Sequence, residues 1–110
     1  MRKELGKIQS IYFGLGDRGD LGLHIDFKFG NASGVIWSES FWDFERIKRT
    51  ETTVWTEEDR EIDAIKILRK VSKLLKEAKV DRIERLKDIP VELTFNVNSL
   101  VSWRVLTEVL

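Results

Sequence analysis

The sequence contains no cysteine, so disulfides, zinc–thiolate sites, iron–sulfur clusters and cysteine nucleophiles are excluded. A chain of this kind suits a reducing cytoplasm. Histidine occurs once, at His24, and a general base or a histidine metal site would have to be built around it. Asp17, Asp20 and Asp26 lack the spacing typical of a calcium loop. We therefore predict no catalytic residues, no metal and no cofactor, with His24 on the surface.

The sequence also has no excess of positive or negative charge. Nineteen basic and nineteen acidic residues cancel to a formal net charge of zero, whereas non-specific nucleic-acid binders depend on uncompensated lysine and arginine. No segment approaches the roughly 18 apolar residues of a membrane span, and no apolar run of signal-peptide length follows residues 1–7. We therefore expect a single domain over residues 1–110, with no membrane association and no general affinity for nucleic acid.

The first forty residues show patterns typical of strands. Ile8–Phe13 is rich in β-branched and aromatic residues. In Leu23–Phe29, apolar residues alternate with polar ones, which predicts a strand with one buried face. Turn residues at Gly30–Ser33 separate it from the apolar segment Val35–Phe41. These patterns predict a three-stranded antiparallel meander.

A long helix is predicted after residue 55. Thr56 fits the N-cap position, and the three acidic residues after it favour the positive end of a helix dipole. Charged residues of the helix, including Arg60, are assigned to a solvated face. Apolar residues recur at spacings of three and four, which predicts one buried stripe: Ile62, Ile65, Leu68, Val71, Leu75 and Ala78.

The remaining residues predict a short helix and a hairpin. Asp81–Lys87 fits a helix capped by Asp81, and Pro90 marks its end. Two alternating runs then flank a tight turn near Asn96–Ser99. The predicted fold class is α+β: a largely antiparallel sheet, made of the meander and the C-terminal hairpin, covered on one face by one long helix, with a short second helix.

The most glycine-rich segment, Gly14–Gly22, lies between the first two predicted strands. Its Gly-x-Gly-x-x-Gly spacing occurs in dinucleotide-binding loops, but that mechanism needs a helix directly afterwards, and here a strand follows. A hairpin loop is the main interpretation. The alternative is a loop that contacts a partner or an anion. The candidate binding residues are Gly16, Asp17, Arg18 and Asp20.

The connection Trp42–Trp55 holds the densest mixture of aromatic and basic residues. Aromatic side chains stack on bases or anchor protein interfaces, and arginine serves both uses. Three interpretations stay open: a core beneath the connection, a protein interface, and contact with a nucleotide or nucleic acid. The candidate binding residues are Trp42, Phe44, Arg46 and Arg49.

Four short parts of the chain stand out as a set. They are Gly6–Ile11 with Phe13-Gly14, Trp55–Arg60, Ala78–Asp81 and Ser102–Leu110. Together they resemble a family of small, largely uncharacterised proteins encoded by bacteriophages and prophages. The resemblance implies an accessory protein that acts in the cytoplasm of the bacterial host, and it transfers no catalytic or ligand-binding residue to this chain.

We therefore predict a small non-enzymatic protein that blocks or sequesters a bacterial host component, such as part of a defence system. Its protein interface would combine the glycine-rich loop with the Trp42–Trp55 connection. The alternative is a homo-oligomer that binds a small nucleotide-type signal between aromatic and arginine side chains. A nucleic-acid-binding or enzymatic role is the third hypothesis.

Overall fold

The computed structural model describes residues 1–31 and 33–110. It contains five strands, one long helix and two short 3-10 helices: β1 (Arg2–Leu15), β2 (Asp20–Phe29), β3 (Ser33–Trp42), α1 (Glu57–Ala78), the first 3-10 helix (Ile83–Leu86), β4 (Pro90–Asn96), β5 (Ser99–Val105) and the second 3-10 helix (Thr107–Val109). The predicted α+β class is confirmed.

All five strands form one antiparallel sheet in the order β3-β2-β1-β4-β5. The central strand β1 is longer than the predicted Ile8–Phe13, because its first part pairs with β4 and its second part pairs with β2. A bulge between Ile8 and Ser10 separates the two parts. The meander and the C-terminal hairpin are thus joined through one strand.

The sheet curls around its core. Phe27 on β2 and Trp103 on β5 lie with ring centroids 4.9 Å apart, although two strands spaced by about 4.8 Å each separate them in the hydrogen-bonding direction. The Lys70 ammonium from α1 lies 5.1 Å from the Trp103 ring centroid and 4.0 Å from the carboxylate of Glu39 on β3. The two outer strands therefore approach the same helix.

The start of α1 agrees with the prediction. The Thr56 hydroxyl accepts a hydrogen bond from the Asp59 amide at 3.0 Å, and the Asp59 carboxylate accepts one from the Thr56 amide at 2.8 Å. This is a capping box. The helix ends at Ala78, and its C-cap residue, Lys79, has a φ of 59° in the left-handed region.

The predicted buried stripe of α1 is wrong over its first half. Ile62, Ile65 and Leu68 are exposed, by 43%, 51% and 60%. The buried positions of the helix are Arg60, Ile67, Leu74 and Ala78. Apolar residues occur on more than one side of this helix, so their spacing does not identify a single buried face. The side chains that contact the curled sheet begin with a charged residue, Arg60, which a hydrophobic pattern does not detect.

The segment before β4 also differs from its prediction. Asp81 does not cap a helix: its carboxylate pairs with Arg82 at 3.2 Å and with Arg85 at 3.4 Å. Only the 3-10 helix Ile83–Leu86 forms, with Arg82 at its N-cap position. Its Leu86 side chain is fully buried in the core.

Both predicted tight turns have residues in the left-handed region. Val97 has a φ of 59° between β4 and β5, and Gly30 has a φ of 63° after β2. Ala32, within the predicted turn at Gly30–Ser33, lies outside the described residues. Across residues 1–31 and 33–110, no helix combines the length and apolar character needed to cross a membrane.

Replacing Gly22 with alanine is expected to lower the free energy of unfolding by about 1–3 kcal/mol, because β3 leaves no room for a side chain there. A Cβ at position 22 would lie 2.3 Å from the Glu39 carbonyl oxygen. Gly34→Ala is the matched control in a neighbouring strand, since its Cβ would have only a 3.5 Å contact with the Phe27 carbonyl oxygen. Urea unfolding measures both variants. Equal midpoints would contradict the close approach at Gly22.

Candidate functional site

The loop between β1 and β2 is a tight connection of residues 16–19. The Gly16 amide donates to the Asp20 carbonyl at 2.7 Å, and Gly19 has a φ of 84°, which favours glycine. Asp17 and Arg18 are exposed. The hairpin-loop interpretation is therefore confirmed, although Gly14 and Gly22 belong to the flanking strands.

This loop packs against the Trp42–Trp55 connection. The Asp43 amide donates to the Gly19 carbonyl at 3.0 Å. A Cβ on Gly19 would lie 2.9 Å from Ile47 Cδ1, so the absence of a side chain permits this contact. The two segments that carry the predicted binding residues thus form one continuous surface.

The connection is held by its own polar contacts. The Asp43 carboxylate accepts hydrogen bonds from the Glu45 and Arg46 amides at 3.2 and 2.9 Å. The Arg49 guanidinium donates to the Trp55 carbonyl at 2.7 Å. Arg49 therefore has a structural contact within the connection.

Arg60 joins the connection to the start of α1. Its side chain is buried, with 3% of the residue exposed, which overturns its assignment to a solvated helix face. Nη1 donates to the carbonyls of Trp42 and Asp43 at 3.3 and 2.9 Å, and Nη2 donates to Glu57 at 3.0 Å. Its charge is thus compensated by carbonyl dipoles and one carboxylate.

Two aromatic rings enclose the same guanidinium. The Arg60 Cζ atom lies 4.4 Å from the Trp55 ring centroid and 5.1 Å from that of Phe44. Phe44 in turn packs on Phe41 at the end of β3, with centroids 5.5 Å apart. The arginine therefore orders the aromatic side chains around it.

A cleft of about 380 Å³ lies where the loop, the connection and α1 meet. Its aromatic residues are Phe41, Trp42 and Trp55, and Arg18 comes from the loop. Three carboxylates also line it: Asp20, Asp59 and Asp63. We call this space the aromatic–acidic cleft.

The charge balance of this cleft is negative. Arg60 already pairs with Glu57, which leaves Arg18 against three carboxylates. Burial alone would raise the pKa of Asp20, but hydrogen bonds from its own backbone and from Ser40, with the nearby His24, hold that pKa below its usual value. Asp20 therefore stays ionised through the neutral pH range.

A second cleft, of about 480 Å³, lies on the face of the sheet opposite α1 and includes Tyr12, Arg18, His24 and Ser38. The His24 ring stacks on Tyr12 at 4.7 Å. Since the Gly14 carbonyl can only accept, His24 Nε2 donates to it at 3.2 Å, and Nδ1 hydrogen-bonds with the Ser38 hydroxyl at 3.0 Å.

This histidine environment gives no carboxylate–histidine–serine arrangement. Within the described residues, both ring nitrogens of His24 have partners, and neither partner is a carboxylate. The same part of the chain contains no group of three or more histidine, aspartate or glutamate side chains placed to hold a metal ion. The second cleft is therefore a polar surface with an anchored histidine.

The predicted binding residues divide into three sets. Arg18, Asp20 and Trp42 line the aromatic–acidic cleft. Gly16 and Asp17 lie at the second cleft, which also includes Arg18 and Asp20. The others line neither cleft: Phe44 packs on Arg60, Arg49 holds the connection, and Arg46 is exposed beside the loop.

Three residues that line the cleft were not predicted as site residues: Asp59, Arg60 and Asp63. All three belong to the first two turns of α1, where charged residues are ordinarily explained by the helix dipole and by solvent. One signal was present: Arg60 precedes the buried Ile67 by seven residues, and so lies on the same side of the helix.

Comparisons with protein-family models, with curated proteins and with solved structures found no match to this chain. The resemblance to phage-encoded proteins therefore stays a prediction.

Replacing Arg60 with alanine is expected to lower the free energy of unfolding by about 2–3 kcal/mol, because two main-chain carbonyls lose a charged donor. The free energy of unfolding of Arg60→Lys should lie between those of Arg60→Ala and the unmodified protein, since one ammonium cannot reproduce the planar contacts with both carbonyls and the rings. Arg69→Ala, at an exposed position of the same helix, is the control and should change stability by less than about 0.5 kcal/mol. Similar losses for Arg60→Ala and Arg69→Ala in thermal unfolding would contradict this role.

Proposed function

We propose that this chain is a non-enzymatic binding protein whose aromatic–acidic cleft receives a positively charged side chain, arginine or lysine, of a partner protein. The observation that carries the proposal is the pairing of Trp42 and Trp55 with Asp20, Asp59 and Asp63 around one concave space. Indole rings attract cations through their π-systems, and carboxylates complete the recognition of a guanidinium or ammonium group.

The same charges weigh against the nucleotide alternative. A phosphate in this cleft would meet three carboxylates and two arginines, Arg60, which pairs with Glu57, and Arg18, for which the described residues provide no ion pair. Sites that hold phosphates use backbone amides and uncompensated basic side chains. In this proposal, the cationic side chain belongs to the bacterial host component that the sequence predicts as the partner.

The cleft also has the anchoring that a recognition site needs. Trp55 stacks on the buried Arg60, and the carbonyl of Trp42 accepts from it. The Trp55 ring and the main chain of Trp42 are thereby attached to the start of α1, so little freedom of the Trp55 side chain is lost when a ligand enters. Trp42 is 39% exposed and accessible to a partner.

The test is a titration of the ¹⁵N-labelled protein with a short arginine-containing peptide, followed through the indole N–H signals. We expect the Trp42 and Trp55 signals to shift most, and the affinity to fall with added salt. Trp42→Ala and Asp63→Asn should each weaken binding by roughly threefold to tenfold. Glu84→Gln, an exposed carboxylate on the distant 3-10 helix, is the matched control and should bind like the unmodified protein.

A peptide with glutamate in place of arginine, and ADP as a phosphate probe, complete the experiment. Binding of ADP with shifts at Trp42 and Trp55 would replace this proposal with the nucleotide alternative. An equal loss of peptide affinity in Glu84→Gln and Asp63→Asn would show attraction to the overall charge of the surface and would overturn the assignment to the cleft.

A further inference from the structure

The charges of α1 are separated along its length. Apart from the buried Arg60, the charged residues of 57–63 are all acidic, whereas those of 64–76 are all basic. A helix dipole favours this distribution only within the first and last turns. Glu61 and Arg69 lie further inside the helix, so the dipole does not account for them.

Most of these charges have no partner within the chain. A solvated helix usually gains stability from opposite charges three or four residues apart on its surface. Across the described residues, the ion pairs of α1 are Arg60 with Glu57 and Lys70 with Glu39. The charges of Glu61 and Arg69 are thus free to pair with a second molecule.

Exposed apolar side chains lie where the acidic and basic parts of α1 meet. At about 100° per residue, Ile62 and Ile65 lie about 200° and 140° from the buried Arg60, on the side of the helix away from the sheet. Leu68 lies beside them. We call the following residues the outer helix face: Glu58, Glu61, Ile62, Ile65, Leu68, Arg69 and Ser72. All seven are exposed, so no described segment covers this face.

The outer helix face is complementary to itself. When two α1 helices pack antiparallel about an axis through Ile65, residues at equal distances before and after position 65 lie opposite each other. Ile65 then meets Ile65 of the second copy, and Ile62 meets Leu68. Glu61 precedes position 65 by four residues and Arg69 follows it by four, so each Glu61 meets Arg69 of the other copy. An apolar centre between two opposite-charge pairs favours this arrangement.

The ends of the outer helix face leave room for the second helix. Glu58 lies opposite Ser72 in this arrangement, so like charges do not meet there. Packed helices cross at an angle, commonly about 20° or 50°, so the two helices diverge beyond these residues. Asp59 and Asp63, which line the aromatic–acidic cleft, lie on another side of α1, about 260° and 300° from Arg60.

We propose that two copies of this chain associate through their outer helix faces, antiparallel and with a two-fold axis at Ile65. The same face supplies the acidic and the basic member of each pair, which is why the occupant is a second copy rather than a different protein. The contact is isologous and closes on itself, so the assembly stops at a dimer. This inference is independent of the proposed function of the aromatic–acidic cleft.

The first test uses the absence of cysteine from the chain. Ile65→Cys introduces a single thiol at the two-fold axis, where helices about 8–10 Å apart bring the two Cα atoms within reach of a disulfide. Under mild oxidation we expect a covalent dimer to form much faster than in Ile36→Cys. Ile36 is the matched control, because it is 73% exposed on β3. Equal rates for the two variants would overturn the proposal.

The second test is sedimentation equilibrium over a range of concentrations. The unmodified chain should show a reversible monomer–dimer equilibrium, and a monomer at every concentration would refute the inference. Glu61→Lys and Arg69→Glu each place like charges opposite each other twice, so each alone should dimerise roughly tenfold more weakly. Mixed together, the two variants should recover as a heterodimer, since every position 61 then meets a position 69 of opposite charge.

Glu84→Lys and Lys87→Glu are the matched controls, because they change the net charge by the same amounts at exposed positions outside α1. Both should dimerise like the unmodified chain, and circular dichroism checks that every variant is folded. Equal weakening in the controls would show a response to overall charge and would contradict the assignment to the outer helix face. Failure of the mixture to recover would contradict the pairing of Glu61 with Arg69.

Discussion

The buried guanidinium of Arg60 is the contact on which the surface architecture of this protein depends. It binds the carbonyls of Trp42 and Asp43, where β3 ends, and it comes from the first turn of α1. A connection of residues 43–56, which has no regular strand or helix of its own, is thereby held at both ends. Nη1 and Nη2 of this buried arginine have hydrogen-bond partners, whereas the described residues provide none for its buried Nε, so the contacts of the two Nη atoms restrict the conformation of the connection.

The curl of the sheet decides which apolar side chains are buried and which stay exposed. Because Phe27 and Trp103 meet across the core, β3 and β5 both approach α1, and the helix covers the concave side only in part. The consequence is an unusual distribution of apolar residues. Ile62, Ile65 and Leu68 on the helix and Phe13 and Leu15 on β1 keep substantial exposure, whereas the core consists mainly of strand residues.

The aromatic–acidic cleft depends on the loop at residues 16–19. Gly19 allows this loop to contact the connection, and Arg18 and Asp20 of the loop and the strand after it line the cleft.

The sequence by itself determined the class of fold. Alternation at Leu23–Phe29 predicted β2, Thr56 as an N-cap followed by acidic residues predicted where α1 begins, and turn residues predicted the hairpins, because each is a local preference of a few neighbouring residues. It also selected Arg18, Asp20 and Trp42, which the fold brings to one cleft.

Only the tertiary structure decided which face of α1 is buried, since that depends on the curl of a sheet whose strands are distant in sequence. The tertiary structure also buries the Arg60 side chain. It brings Asp59 and Asp63 to the cleft, although both have the residue type and position of ordinary solvated helix residues. Burial and charge balance arise from contacts between segments far apart in the chain, and local sequence patterns do not contain those contacts.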